Sequence, residues 1–359
     1  MKKITLSLLA IAFLFSCKKD ETPLVVESPI DETTPVDTIA DYTVPTTYNF
    51  TNVSYSGQTA RLNMLDDLTD YIKTGNEVGA PLDAQKLKNM FANEGNPFGN
   101  VDLDGSGKQL KSKCNSAYQT IFEGLFDELE IESGKADGSD GVAGIVMKSD
   151  GSKGYLCDKN GLEYAQTISK GLMGAVFYHS ATNGGYLANL DSDDNVDVTE
   201  GKGTKREHHF DEAFGYFGAP KEFPDSAGTH WAKYAGKTTG LPQEIMDAWL
   251  KGRAAISNKD EAVRKTAVTE IKALWEKAIV GAALYYINDV KGKMGDDGSK
   301  LHGLSEAVAF IGCLQHNDSK KITTAQITQV IAEIGTNLWD TELSNLNTAE
   351  STLKGIYGL

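Results

Sequence analysis

Apolar residues spaced three and four apart recur through most of this chain, and that rhythm restricts it to a helical architecture. Over residues 259–291, Val268, Ile271, Trp275, Ile279, Ala282 and Tyr286 keep the rhythm and so fall along one helix face. Leu62, Leu65, Leu68 and Ile72 do the same near the start. Further helices are expected over about 81–93, 107–132, 159–180, 204–217, 242–257, 300–316, 323–340 and 346–355. Strand signals are few: residues 46–55 and 144–147 alternate weakly. The glycine-rich, acidic segments 102–107, 134–151 and 183–203 read as loops between helices. The expected fold is an all-α helical bundle protein, with residues 46–200 and 201–359 as two packed bundles.

Composition narrows the partners. A chain of 359 residues that is 40% hydrophobic can bury a large core, which excludes a disordered chain or a stapled mini-protein. A formal charge of -15 excludes a phosphate-tracking surface, so nucleic acid is not an expected partner. Four cysteines without a C-x-x-C pair fit neither a zinc ribbon nor a disulfide scaffold.

The first residues give an address. Lys2 and Lys3 precede an apolar run from Ile4 to Phe15, the pattern of a secretory signal, and at this length too short for a membrane span of about 20 residues. The run ends in Leu14-Phe15-Ser16-Cys17, which resembles the lipobox of bacterial lipoproteins. Residues 1–16 are then a cleaved signal, and Cys17 is the lipidated N-terminus that anchors the chain to a membrane. Residues 17–45 hold four of the nine prolines and seven acids, too little apolar surface to order themselves, so they read as a disordered acidic tether. The folded domain is expected over 46–359. The expected location is the cell envelope, as an outer-membrane lipoprotein facing the periplasm or the surface.

Several catalytic motifs fail. Gly236-Lys237-Thr238 resembles the end of a P-loop, but Trp231 stands where its first glycine belongs. There is no G-x-S-x-G elbow and no H-E-x-x-H pair. Asp102, Asp104, Ser106 and Gly107 match the opening of a calcium loop, yet Lys113 occupies the position of its bidentate glutamate. Asp191, Asp193, Asn195 and Asp197 form a second acidic stretch that ends on Lys202. Weak calcium binding in these loops is the most they offer.

Histidine and glutamate at helical spacing are more informative. His209 and Glu212 lie at i, i+3, and His208 and Glu212 at i, i+4, within one predicted helix. His302 and Glu306 repeat the i, i+4 spacing in another. Imidazole and carboxylate converging from facing helices is how bundle proteins build metal sites, so these five residues are the candidate ligands of a divalent metal or iron. Gly215, Gly218, Gly303 and Gly312 would let the helices approach closely.

The block HFDEAFGYFG, residues 209–218, resembles the G-x-H-x-x-E motif of imelysin-like proteins. YSGQTARLNML (55–65), GLEYAQTISKGLMGAVFYHSAT (161–182), EHHFDEAFGYFGAPKEFP (207–224) and LHGLSEAVAFIGCL (301–314) resemble the DUF4856 domain family of Bacteroidota lipoproteins. The resemblance covers nearly the whole chain. It implies an α-helical imelysin-like fold in the envelope, an association with iron or haem acquisition, and an outer-membrane transport partner. The motif positions carried over are His209 and Glu212, with Glu207 or His208 standing where imelysins place glycine before the histidine. Haem fits less well than a bare ion, because spacing assigns no axial methionine, tyrosine or cysteine. Three functions are then open: a non-catalytic lipoprotein that binds metal or a metal-bearing ligand, a structural or ligand-presenting module without metal, and a metal-dependent peptidase.

Overall fold

A computed structural model describes residues 41–359; the leader, Cys17 and most of the tether lie outside the described residues. The helices are α1 (Ser56–Thr74), α2 (Ala84–Ala92), α3 (Val101–Asp104), α4 (Ser116–Glu132), α5 (Tyr164–Leu172), α6 (His179–Thr182), α7 (Lys205–Phe217), α8 (His230–Ala235), α9 (Leu241–Ser257), α10 (Glu261–Lys291), α11 (Asp297–Cys313), α12 (Thr324–Ile334) and α13 (Leu343–Tyr357). One antiparallel hairpin, β1 (Gly144–Met147) and β2 (Gly154–Cys157), interrupts them. The fold is all-α.

Boundaries are set by local chemistry. Thr204 opens α7 with a reciprocal capping box, its side chain bonding Glu207 N–H while Glu207 bonds back to Thr204. Asp260 caps α10 and Asp296 caps α11 in a one-sided way, each accepting from a first-turn N–H. The helix expected over 107–132 begins only at Ser116, where Asn115 supplies the cap, and a short 3₁₀ turn occupies 111–113. The helix expected over 323–340 stops at Ile334, because Gly335 turns to φ 125°. Residues 46–55 form no strand; they run as irregular chain across α7, with the Tyr48 ring stacked 3.7 Å from that of Phe214.

Packing centres on α10. Trp275 lies at the middle of a buried aromatic group with Trp231, Trp249, Phe217 and Tyr178. A single apolar core runs through both halves of the domain, joining Leu65 and Phe177 to Phe214, Ile279 and Leu353. The described residues belong to one compact unit, Ile39–Leu359. Gly215 governs how closely the start of α1 approaches α7. A Cβ there would sit 2.7 Å from that of Tyr55, so only glycine lets the two lie directly on one another.

Beyond α11, His316 is buried with its Nδ1 unpartnered among the described residues, edge-on to the Tyr118 ring. Burial, reinforced by His179 and Lys320, lowers its pKa to about 3. The unfolded chain takes up that proton near pH 6.5, while the folded chain does not until about pH 3. This group's contribution to stability is therefore complete above pH 6.5 and is lost as pH falls through the interval. Urea unfolding between pH 7 and 4 should show a smaller acid-side loss in His316→Leu than in the parent; equal slopes would contradict this assignment.

Candidate functional site

The two predicted histidine–glutamate pairs go to different places. At about 100° per residue, i and i+4 lie about 40° apart around a helix and i and i+3 about 60°. That difference decides the pairing on α7. His208 is the residue that turns toward Glu212, with Nε2 3.8 Å from Oε2, and His209 leaves on the other flank. There His209 Nδ1 meets Asp193 Oδ2 at 2.6 Å, and Asp193 is buried. On α11, His302 Nδ1 lies 2.6 Å from Glu163 Oε2 and its Nε2 3.8 Å from Glu306 Oε1. Glu163 and Glu306 are both buried, so the ring bridges two carboxylates and stacks on Tyr155. No three His, Cys, Asp or Glu side chains among the described residues are grouped to hold a metal ion. The expected convergence of His208, His209, Glu212, His302 and Glu306 on one cleft is not what the fold builds.

The acidic loops are likewise tied within the protein. Asp102 and Asp104 lie in α3, and Asp104 accepts from Phe98 N–H at 3.0 Å. Asp191 pairs with Arg264, Asp193 with His209 and Lys205, and Asp194 accepts the N–H groups of Val196 and Asp197. Asn195 spans Thr204 and the Ile256 carbonyl. Protein donors thus occupy carboxylate oxygens of Asp104, Asp191, Asp193 and Asp194. Cys114, Cys157 and Cys313 are all buried free thiols.

What His208 and Glu212 do line is a polar pocket of about 210 Å³ at the start of α1. Its cationic wall is Arg61, Lys108, Lys113 and Lys202. None of these four has a carboxylate partner among the described residues, although the chain holds 50 acids against 35 lysines and arginines. Neighbouring Lys111, by contrast, is paired with Glu123 at 2.6 Å. Arg61 is buried, its Nε donating to Gln109 O and its Nη1 to Gly57 O. The Lys113 ammonium stands 5.0 Å over the Tyr186 ring.

One carboxylate faces this wall. Glu212 Oε1 accepts from Gln58 Nε2 at 2.9 Å and from Tyr186 OH at 3.5 Å. Burial, with Lys202 and His209 adding, lowers the His208 pKa, so the ring is neutral at pH 7. Four cations therefore confront one anion in a strongly acidic protein. The pocket also receives the N-terminal end of α1, whose N-cap Tyr55 offers no side-chain acceptor to the first-turn N–H groups. Cations held together without partners repel one another, and a bound anion relieves that repulsion while accepting their hydrogen bonds.

Only part of this pocket was visible in the sequence. Glu212 and His208 stood out through helical spacing, but Arg61, Gln58, Tyr186 and the lysines did not. One signal was there: Lys108, Lys111 and Lys113 form a basic run in an acidic chain.

A family model described as a domain of unknown function, DUF4856, matches residues 45–358. No curated protein and no solved structure matches the chain.

Proposed function

The chain belongs to the DUF4856 family, and from the pocket at the start of α1 we propose that it is a cell-envelope lipoprotein that binds a small anionic ligand. The observation that carries this reading is the set of four unpaired cations, Arg61, Lys108, Lys113 and Lys202, around one carboxylate. The envelope part rests on the signal-like leader and on Cys17. Among the described residues no helix is long and apolar enough to cross a membrane.

The pocket selects among metal-bearing ligands. A bare divalent cation would meet four positive charges, which opposes it. Iron fits only as an anionic complex whose outer carboxylates reach Lys108 and Lys113. Haem does not fit: at about 210 Å³ the pocket is below the range of about 300–1,000 Å³ that holds drug-sized ligands. On this reading His209 and His302, each 2.6 Å from a buried carboxylate, serve to tie elements together.

Thermal unfolding of residues 39–359 tests the reading. Phosphate, sulfate, succinate and citrate are compared at low salt with Zn, Mn, Ca and Fe. A ligand at 100 times its dissociation constant adds about 2.7 kcal/mol when it binds only the folded state. The expected result is a rise in midpoint of several degrees with at least one multivalent anion, shrinking as ionic strength rises. A rise with a bare metal and with none of the anions would overturn it.

A further inference from the structure

We propose a second ligand site, for a small neutral polyol of monosaccharide size, in the pocket of about 290 Å³ between the middle of α1, α5 and the start of α8. Its walls include Thr69, Gln166, Ser169, Met173, His230 and Tyr234. Thr69 Oγ1, Gln166 Oε1 and His230 Nδ1 are buried there with no hydrogen-bond partner among the described residues. Thr69 and Gln166 are each 8% exposed, so bulk water does not serve them freely. Buried polar groups are ordinarily hydrogen-bonded, and here three unpaired ones belong to residues that line one small cavity.

Two departures from regular backbone converge on the same pocket. His230 takes φ 44°, a left-handed conformation that costs a residue with a Cβ. The segment before it is pinned to the end of α7: Thr229 N–H donates to Gly218 O at 2.9 Å, and a Cβ on Gly218 would lie 2.7 Å from Thr229 O. The His230 ring is then held edge-on to Phe177, with Nε2 3.3 Å from Asp66 Oδ1. The second departure is the π-helical segment Met173–Tyr178, which succeeds α5 and places Met173 in the wall. Trp231 Nε1 donates to the Met173 carbonyl at 3.1 Å and so braces it. Strained residues and π-helical turns persist where the surrounding fold holds them for a purpose.

The charge pattern distinguishes this site from the anion pocket. Asp66 faces His230, Lys73 pairs with Asp70, and Lys170 lies 3.9 Å from Glu306. Lys233 is exposed at the rim. What remains unused inside is neutral: a hydroxyl, an amide oxygen and an imidazole nitrogen. A ligand hydroxyl both donates and accepts, so a polyol satisfies all three without bringing a charge.

Saturation-transfer NMR of residues 39–359 with hexoses, N-acetylhexosamines, their methyl glycosides and short oligosaccharides tests this. The glycosides and oligosaccharides distinguish a free sugar from a glycan terminus. At least one compound is expected to receive saturation from the protein. Its affinity should fall at least about tenfold in both Thr69→Val and Gln166→Leu, since each loses a hydrogen bond to the ligand. Because each change removes a buried polar atom that has no partner among the described residues, the melting temperature should not fall. No saturation with any compound would overturn the proposal, and so would wild-type affinity in either variant. The anion pocket is untouched by these substitutions, so the two sites succeed or fail separately.

Discussion

Replacing Lys108 and Lys113 together with alanine should weaken binding of a small dicarboxylate or tricarboxylate about a hundredfold. Each lysine is half-buried beside the pocket, has no carboxylate partner among the described residues, and can offer a charged hydrogen bond to the ligand. Such a bond contributes about 1.5–3 kcal/mol, and solvent screening at a half-exposed site puts the lower end in force. That is about tenfold per lysine. The unliganded double variant should also melt at the same temperature or higher, because two repelling charges are gone. Calorimetric titration measures the first effect and a thermal scan the second. Lys251→Ala is the control, since Lys251 faces Glu270 on an exposed surface. A loss no larger than the control's would mean that the pocket's cations do not hold the ligand.

The largest stability effect should come from Arg253→Met, at about 3–5 kcal/mol. Arg253 is fully buried and serves two carboxylates, with Nε 2.8 Å from Asp211 Oδ1 and Nη1 2.8 Å from Glu207 Oε1. Tyr48 OH also donates to Asp211 at 2.8 Å, tying the chain before α1 to this centre. One guanidinium cannot compensate both acids equally. Glu207, with further bonds from Thr204 N–H and Ser257, is held below the usual carboxylate range. Burial dominates at Asp211, and its pKa is pushed up to about 7. Removing Arg253 strands both acids, whereas Arg253→Met with Asp211→Asn removes the charge that is most deeply buried. Urea unfolding should therefore find the double variant more stable than Arg253→Met alone. A single-variant cost under about 1 kcal/mol, or no recovery in the double variant, would show that the cluster is not the tie described here.

Much of the fold could be read before the structure because long amphipathic helices announce themselves. The apolar stripes of α1, α9, α10 and α11 each run for four turns or more, and a pattern that long has few other readings. Among the short elements only β1 gave a signal, the weak alternation over 144–147. All four residues of β2 are buried, so the alternation that marks a half-exposed strand is missing. In α8 there are only six residues, and the first has a left-handed φ that no helical pattern anticipates. Residues 46–55 alternated weakly, but Tyr48 answers to Phe214 and Asp211 on α7 rather than to a neighbouring strand.

The candidate site was legible only where spacing along one helix decides contact. His208 and Glu212 come together through i, i+4 geometry, which is local. His209 was drawn away by Asp193, sixteen residues earlier, and His302 by Glu163, 139 residues earlier. Arg61, Lys108, Lys113 and Lys202 come from α1, a loop, the 3₁₀ turn at 111–113 and the approach to α7. Their convergence is a tertiary fact with no counterpart in the linear pattern. Histidine beside glutamate on a helix does not reveal the buried carboxylates, Asp193 and Glu163, that His209 and His302 meet in the fold.

Anomalous diffraction from crystals of residues 39–359 soaked in selenate tests the anion pocket most directly. Selenate is a small divalent anion whose oxygens accept the same hydrogen bonds as a carboxylate or phosphate. The account predicts a selenium peak beside Lys108, Lys113 and Arg61 at the start of α1, with oxygen-to-nitrogen distances of about 3 Å. That peak should vanish from crystals of Lys108→Ala/Lys113→Ala. Selenate bound elsewhere on the surface with this pocket empty, or a peak that persists in the double variant, would contradict it.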